Sequence, residues 1–306
     1  MALPRTISSI YDVAVLHPGR TKTSKPRFWR RFELKRVGLC WFVLFFCGCG
    51  DLLPPQPAQL LTIPITLSGL VTEPAIVDTG GGYELMLRQS FGLDIVDQIE
   101  VIAFGGRETV DLATGFSYQV GNIETTADIA LIGLSVCDCN GLGFLFFRKT
   151  GIVLGIDFPA QSIVFLNQLP RGGIGLDFDR PPDHLLDFDS AFLDVDVTLN
   201  EETRIVSALI DTGTNSTIMR RGLFESTVGG SSSFLDVTVG RFELGTVGLR
   251  ATLFDNPGLP DLVIGTDVMA VWGDRWYFSF TPRGGALKVF PRADESMADA
   301  SATPQS

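Results

Sequence analysis

The sequence predicts an all-β protein made of two similar lobes. Short runs of Val, Ile, Leu and Phe alternate with clusters of Gly, Pro, Asn and Asp, and no long segment has a helical period. Apolar residues make up 45% of 306 residues, which is enough for two packed cores. The triplet Asp-Thr-Gly occurs twice, at 78–80 and 211–213, each time after a short apolar run. Such a repeat indicates a duplicated structural unit.

The amino-terminal segment differs from the rest of the chain. A basic stretch, Arg27 to Arg36, precedes a 12-residue apolar run, Val37 to Gly48. That run is too short to span a membrane as a helix, and its length is typical of a signal peptide. The residues that end it, Phe46 to Cys49, resemble a bacterial lipobox with Cys49 as the lipidated residue. We therefore expect a signal segment at 1–49 and a Pro-rich tether at 50–60.

An uncleaved membrane anchor is the alternative for this segment. Both interpretations predict a protein held at the membrane of the bacterial cell envelope, facing the periplasm or the outside. Residues 1–48 hold nine of the 24 Lys and Arg but two of the 35 Asp and Glu, so the remainder carries a formal charge of −18. This surface charge argues against nucleic acid as a partner.

Cysteine and histidine are too scarce after the signal segment to build a structural zinc site. Cys137 and Cys139 are the only cysteines after Cys49, and His184 is the only histidine there. The two cysteines form either a disulfide or two free thiols. The acidic stretch around 177–189 lacks the spacing of an EF-hand. We expect no metal and no other cofactor.

Each triplet belongs to a longer repeat with its own strands. In the first copy, Ile63 to Leu67 reads as an edge strand and Ala75 to Asp78 as a central one. The second copy repeats this with Val195 to Leu199 and Ile205 to Asp211. The predicted boundaries are 61–166 for the first lobe, 167–190 for an interlobe linker, 191–290 for the second lobe and 291–306 for a disordered tail.

The first lobe has room for an extra hairpin. The distance in sequence from the triplet aspartate to the downstream motif is 76 residues in the first copy, from Asp78 to Leu154. It is 53 residues in the second copy, from Asp211 to Ile264. Two strand-like runs, 99–104 and 109–112, flank a turn sequence at 105–107. We expect this hairpin to form a single flap over a cleft. The matching stretch of the second lobe, 229–233, reads as a short loop.

Two aspartates at a symmetric interface suit the hydrolysis of peptide bonds. Carboxylates about 3 Å apart share one proton, because like charges that close do not both ionise. Asp78 and Asp211 are the predicted pair; the ionised member activates a water and the protonated member polarises the carbonyl. Gly80 and Gly213 allow the close approach of the opposite lobe. The hydroxyls of Thr79 and Thr212 are expected to form hydrogen bonds across the interface.

The residues after the triplets suggest how the proton is shared. Thr214 is placed to hydrogen-bond the carboxylate of Asp211, whereas Gly81 offers Asp78 no such group. This predicts that Asp211 is the more acidic member and that Asp78 carries the proton.

The chain resembles the retropepsin-like aspartic proteases in a duplicated single-chain form. The resemblance rests on AIVDTGG and ALIDTGTNSTI for the two turns, and on GIVLGIDF and DLVIGTDVM for a downstream motif in each lobe. It implies a closed β lobe on each side of a catalytic cleft and endopeptidase activity on polypeptides. The single flap expected from the amino-terminal lobe departs from the symmetric viral dimers of that family and is closer to the one-flap plan of pepsin. It also implies a monomer in which the lobes form a pseudo-dimer.

The resemblance further implies that the downstream motif packs behind the catalytic turn. We expect Asp157 and Asp267, within that motif, to cap short helices. The candidates for flap and substrate contact are Phe104, Gly105, Gly106, Phe116 and Tyr118. A protease-fold protein that binds peptides or partner domains without turnover is the alternative function.

Overall fold

A computed structural model describes residues 60–292 of the chain, except 70, 104–105, 135–137, 180–189, 225–232, 257 and 282–283. The predicted all-β class is confirmed, since strands dominate the described residues and the helices are short. No described helix is long and apolar enough to cross a membrane. The predicted signal segment and Cys49, most of the tether, and nearly all of the tail lie outside the described residues.

The first half of the chain contains twelve described strands and one α-helix. They are β1 (Thr62–Leu67), β2 (Val71–Asp78), β3 (Leu85–Leu87), β4 (Asp97–Ala103), β5 (Gly106–Ala113), β6 (Ser117–Val120), β7 (Ile123–Thr126), β8 (Ala130–Ile132), β9 (Asn140–Gly143), α1 (Phe144–Thr150), β10 (Val153–Asp157), β11 (Ser162–Leu166) and β12 (Ile174–Asp177). Nine of them form one curled sheet in the order β4-β5-β8-β3-β9-β2-β1-β6-β7.

The second half contains eight described strands, one α-helix and one 3₁₀ turn. They are β13 (Phe192–Leu199), β14 (Glu202–Ile210), β15 (Ile218–Arg220), the 3₁₀ turn Arg221–Phe224, β16 (Phe234–Arg241), β17 (Gly245–Phe254), β18 (Leu262–Ile264), α2 (Thr266–Trp272), β19 (Arg275–Thr281) and β20 (Gly284–Phe290). Six of the strands close into a barrel in the order β13-β14-β18-β15-β17-β16.

The strand order repeats between the two halves. In each, an antiparallel hairpin (β1–β2 and β13–β14) leads to an Asp-Thr-Gly turn. The second strand of each hairpin then pairs in parallel with a later strand, β9 or β18, that runs into the short helix α1 or α2. Strands β3 and β15, which follow the triplets, pair antiparallel with the other side of β9 and β18. The duplication inferred from the sequence is thus present in the topology.

Side-chain alternation explains why these segments fold as strands. Along β13, Val195, Val197 and Leu199 are buried while Asp194 and Asp196 are exposed, so one face enters the barrel and the other faces water. The helix α1 ends at Gly151, whose φ of 69° is a left-handed conformation that favours glycine.

A third sheet joins strands from both halves, in the order β11-β10-β19-β20-β12. Strand β10 from the first half pairs antiparallel with β19 from the second. Aromatic rings of both halves pack together beside it: the ring of Phe280 lies 5.7 Å from Phe144 and 6.3 Å from Phe147. The predicted linker therefore contains structure, because β12 pairs with β20 and buries Leu176.

The downstream motif of the first half was assigned to the wrong residues. Val153–Asp157 forms β10 of the third sheet, and Asp157 accepts a hydrogen bond from the N–H of Ala160 (2.9 Å) in a turn rather than capping a helix. The strand that pairs with β2 and precedes α1 is β9, with the sequence NGLG. In the second half the position of the motif is confirmed, since Ile264 and Gly265 lead into α2. The expected cap is wrong there too, because Gly265 stands at the N-cap and Asp267 lies within the first turn of α2. Asp267 there accepts hydrogen bonds from the N–H and hydroxyl of Thr217, both at 2.8 Å.

Candidate active site

Both aspartates stand at the ends of central strands, where neighbouring backbone holds them. The N–H of Asp211 donates to the carbonyl of Ile264 at 2.9 Å. On the first side, Asp78 itself pairs with Gly143 in the parallel ladder of β2 and β9. Backbone hydrogen bonds also hold the turns that follow the aspartates. The N–H of Phe144 donates to the carbonyl of Gly81 (3.2 Å), and the N–H of Thr266 donates to the carbonyl of Thr214 (3.0 Å). Each carboxylate is therefore carried by rigid strand ends.

The two threonines of the triplets form a reciprocal set of hydrogen bonds between the halves. Each hydroxyl, of Thr79 and of Thr212, accepts the backbone N–H of the other threonine at 3.1 Å. Each also donates across the interface, Thr79 to the carbonyl of Ile210 (2.8 Å) and Thr212 to that of Val77 (2.7 Å). Both threonines are buried, so these four bonds are shielded from water. The cross-interface bonding expected from the sequence is present.

The carboxylates of Asp78 and Asp211 face each other across this interface. A Cβ added to Gly80 would lie 2.5 Å from Cγ of Asp211, and one added to Gly213 would lie 2.7 Å from Cγ of Asp78. Both distances are shorter than the contacts that Cβ atoms make in proteins. A side chain at either position would therefore displace the aspartate of the other half, and only glycine leaves space for it. The N–H of Gly213 also donates to Oδ1 of Asp211 at 2.7 Å.

The environment of Asp211 favours its protonated form. Burial raises the pKa of Asp211 well above its usual range, and the charge of Asp78 and a hydrogen bond with Asp78 raise it further. Hydrogen bonds from the N–H groups of Gly213 and Gly80 act in the opposite direction and are smaller. Asp211 is 6% exposed, whereas Asp78 is partly exposed.

The expected contact between Thr214 and Asp211 is not made. The Thr214 hydroxyl instead donates to the carbonyl of Ser216 at 3.0 Å, within its own turn. The reason given for a more acidic Asp211 is therefore wrong, because burial and the charge of Asp78 raise the pKa of Asp211 instead.

Tyr83 is a member of the site that sequence reasoning missed. Its hydroxyl donates to Oδ2 of Asp78. Tyr83 is 7% exposed, and burial together with the charge of Asp78 raises the pKa of its hydroxyl well above the usual value. The sequence offered one signal: the run Gly80-Gly81-Gly82 directly before a tyrosine leaves space beside the triplet.

The candidate flap and substrate residues are separated by the structure. Strands β4 and β5 form the predicted antiparallel hairpin, with Ala103 opposite Gly106, and among the described residues the second half has no counterpart. Phe104 and Gly105 lie outside the described residues. Phe116 is partly buried against the core.

Tyr118 does not belong to a substrate surface. It is 1% exposed, and its hydroxyl donates to the buried carboxylate of Glu84 at 2.7 Å. Its aromatic ring packs inside the first half, 6.1 Å from that of Phe146. Tyr118 is a core residue, because it lies on the buried face of β6, along which exposed and buried side chains alternate.

A cavity elsewhere in the described chain has a charged lining of its own. This cavity, of about 360 Å³, lies on the barrel of the second half, lined in part by Asp179, Asp194 and Arg241, and it includes neither Asp78 nor Asp211. Arg241 already pairs there with Asp179 at 3.0 Å and with Glu243 at 3.2 Å. No group of three or more metal-ligating side chains occurs among the described residues. Cys139 is disulfide-bonded, so it is not one of two free thiols.

Comparisons with known proteins add no family to this picture. No family model matches the chain, and a search of curated proteins gives no match. The functional argument therefore rests on the geometry of the two aspartates and their surroundings.

Proposed function

We propose that this protein is an aspartic endopeptidase that hydrolyses peptide bonds with a water activated between Asp78 and Asp211. Each half would then be a retropepsin-like lobe, with the β4–β5 hairpin as the flap over the cleft. The proposal rests on the reciprocal contacts between the two Asp-Thr-Gly turns. Each triplet glycine leaves room for the opposite aspartate, and each triplet threonine bonds the opposite backbone.

The asymmetry of the pair assigns a role to each carboxylate. Asp211, whose raised pKa keeps the shared proton, would donate it to the carbonyl oxygen of the scissile peptide bond. Asp78 would take a proton from the attacking water as its oxygen bonds to the carbonyl carbon. When the tetrahedral diol collapses, the C–N bond breaks and Asp78 returns its proton to the leaving amine nitrogen. Asp211 regains a proton from the diol hydroxyl, so the pair is restored.

The substrate would be an unfolded or extended polypeptide, because each cleaved bond must enter between the two halves. We also propose that the chain acts at the bacterial envelope as a monomer, tethered through a lipid at Cys49 or through an uncleaved signal anchor. Mass spectrometry of the protein purified from membranes distinguishes these tethers. A diacylglyceryl group on Cys49 supports the first, and an intact amino terminus supports the second.

The activity is tested with the full chain in detergent and an unfolded protein as substrate, from about pH 3 to pH 7. We expect turnover by the wild type, and a loss of at least about 10³-fold in kcat for Asp78→Asn and for Asp211→Asn. Asp236→Asn, at an exposed aspartate on β16, is the matched control and should retain full activity. A hydroxyl-containing mimic of the tetrahedral diol should inhibit the wild type.

Two outcomes would overturn the proposal. Equal turnover by the wild type and both active-site variants would assign the cleavage to a contaminant. Absence of turnover by a folded wild type, combined with binding of peptides, would favour the catalytically silent peptide-binding function.

A further inference from the structure

The side chain of Tyr83 occupies a space that three glycines leave for it. A Cβ added to Gly81 or to Gly141 would collide with the Tyr83 side chain, at the ring and at the hydroxyl respectively. A Cβ added to Gly143 would collide with the Tyr83 carbonyl. Gly141 and Gly143 lie on β9, the strand parallel to β2. The unusual NGLG sequence of that strand is explained by the tyrosine packed against it.

The second half does not repeat this arrangement. Five residues after its aspartate stands Ser216, at the position that Tyr83 holds after Asp78. In the first half, Ile76 pairs with Gly141 of β9. At the equivalent position of the second half, Leu209 pairs with Val263 of β18, which leaves no such space. Only the first aspartate of the pair therefore receives a tyrosine hydroxyl. The difference is local to the site, since the strands that follow and flank the two triplets pair in the same way in both halves.

The Tyr83 hydroxyl fixes one of the two oxygens of Asp78. It donates to Oδ2, while Oδ1 is buried and, apart from the carboxyl of Asp211, has no hydrogen-bond partner among the described residues. Oδ1 lies on the side of the second half, where a Cβ added to Gly213 would be 2.8 Å from it. One carboxylate oxygen is thus held, and the other is left for the partner aspartate and the reacting water.

We propose that Tyr83 is a positioning residue of the pair: its hydrogen bond to Oδ2 holds Asp78 as the accepting carboxylate and leaves the shared proton on Asp211. The catalytic consequence rests on the proposed function, whereas the effect on titration of the pair does not. Asp78 and Asp211 are the charged groups that act on Tyr83. The side chains packed around its ring are apolar: Met86, Val110, Leu131 and their partly buried neighbours.

The test is a titration that needs no turnover. The full chain in detergent is labelled with ¹³C at the aspartate carboxyl carbons, and the pair is followed by NMR from about pH 2.5 to pH 8, as wild type, Tyr83→Phe and Tyr277→Phe. A donor to a carboxylate favours the charged form, so its loss should raise the lower apparent pKa of the pair by about one unit. Tyr277→Phe makes the same chemical change at a half-buried tyrosine of the third sheet and should leave the titration unchanged.

Kinetics on the same variants give the second readout. The acid limb of kcat/KM should move to higher pH in Tyr83→Phe, with kcat reduced about tenfold and KM little changed. If Tyr83 only fills space, Tyr83→Phe should shift neither the NMR titration nor the pH profile of kcat/KM. That result would overturn the proposal. A folded wild type with no turnover defeats the proposed function alone, because the NMR titration still decides the role of Tyr83.

Gly141→Ala tests the same contact without deleting the hydroxyl. The added methyl collides with Oη of Tyr83, so this variant should shift the titration of the pair in the same direction as Tyr83→Phe. In the Tyr83→Phe background the oxygen is gone, and Gly141→Ala should then add little. Full additivity of the two shifts would contradict the proposal. This variant also keeps the question open to experiment if Tyr83→Phe fails to fold.

Discussion

Thr79 and Thr212 each accept the backbone N–H of the other through the side-chain hydroxyl, at 3.1 Å in both directions. The same hydroxyls donate to backbone carbonyls of the opposite half. Two residues that are 133 positions apart thus hold both Asp-Thr-Gly turns through four buried hydrogen bonds. The bond lengths and directions are nearly symmetric, whereas the aspartates that these turns carry differ in burial and in hydrogen-bond partners.

Thr212→Val should destabilise the protein strongly, although it only replaces a hydroxyl by a methyl group. The valine has the same shape but leaves the N–H of Thr79 and the carbonyl of Val77 buried without partners. We expect unfolding in urea to show a loss of about 2–4 kcal/mol. Thr198→Val, which removes one of two exposed hydroxyls that bond each other at 2.8 Å, is the control and should change stability by less than about 0.5 kcal/mol. Equal effects of both substitutions would contradict the role given to the buried bonds.

Gly80→Ala should reduce activity far more than it reduces stability. The new Cβ would lie 2.5 Å from Cγ and 2.8 Å from Oδ2 of Asp211, so the carboxylate must move away from Asp78. A displacement of this kind should lower kcat/KM by at least about 10²-fold. Gly248→Ala on β17 is the control, because a Cβ there meets nothing within 4 Å. Unchanged kcat/KM in Gly80→Ala would show that the pair does not need the geometry described.

The sequence predicted the parts of the site that depend on short-range chemistry. An apolar strand ending in Asp-Thr-Gly carries its own aspartate, turn and threonine, so both triplets could be read as matching halves of one site. The strands that pair with these two triplet-bearing strands could be predicted only where their own sequence is apolar. Leu262–Ile264 was recognised, but Asn140–Gly143 was not, because glycine replaces the expected apolar residues there. Val153–Asp157 has a similar letter pattern and was assigned in its place.

The missed features are contacts between residues distant in sequence or outside any motif. Gly141 is glycine because Tyr83, 58 positions earlier, needs the space, and a single sequence gives no sign of that pairing. Thr214 was predicted to reach Asp211, yet a hydroxyl three residues after the aspartate has a competing carbonyl at Ser216 in its own turn. Tyr118 is among the predicted substrate residues, but its hydroxyl donates to the buried carboxylate of Glu84, and the local sequence gives no sign of that contact.

Glu84→Gln should destabilise the first half because it breaks a buried charge network. The carboxylate of Glu84 is 2% exposed and accepts hydrogen bonds from the Tyr118 hydroxyl (2.7 Å), from Lys149 (3.0 Å) and from the N–H of Asp128 (2.8 Å). The neutral amide keeps the volume but leaves a donor facing other donors. We expect a loss of about 3 kcal/mol in urea unfolding. Asp236→Asn, which breaks an exposed pair with Arg250, should show no measurable loss, and equal losses would argue against a buried network.

The stability of the protein should fall as pH rises through the pKa of Asp211. Because the pKa of Asp211 is raised in the folded state, the native protein retains a proton that the unfolded chain releases at about pH 3.9. The stabilisation from that proton is complete below the unfolded pKa and is lost as pH rises through the folded one. Urea midpoints for wild type and Asp211→Asn should therefore diverge from about pH 4 upward, with the wild type losing stability relative to the variant.

Asp236 provides the matched comparison for this pH dependence. A hydrogen bond from Arg250 lowers the pKa of Asp236, so its contribution has the opposite sign and is lost as pH falls. Asp236 is exposed and solvent screens its pair, so Asp236→Asn should change the pH profile only slightly and at acid pH. If the wild-type and Asp211→Asn profiles stayed parallel from pH 3 to pH 7, the folded protein would not hold the extra proton. The assignment of Asp211 as the proton donor to the substrate carbonyl would then be wrong.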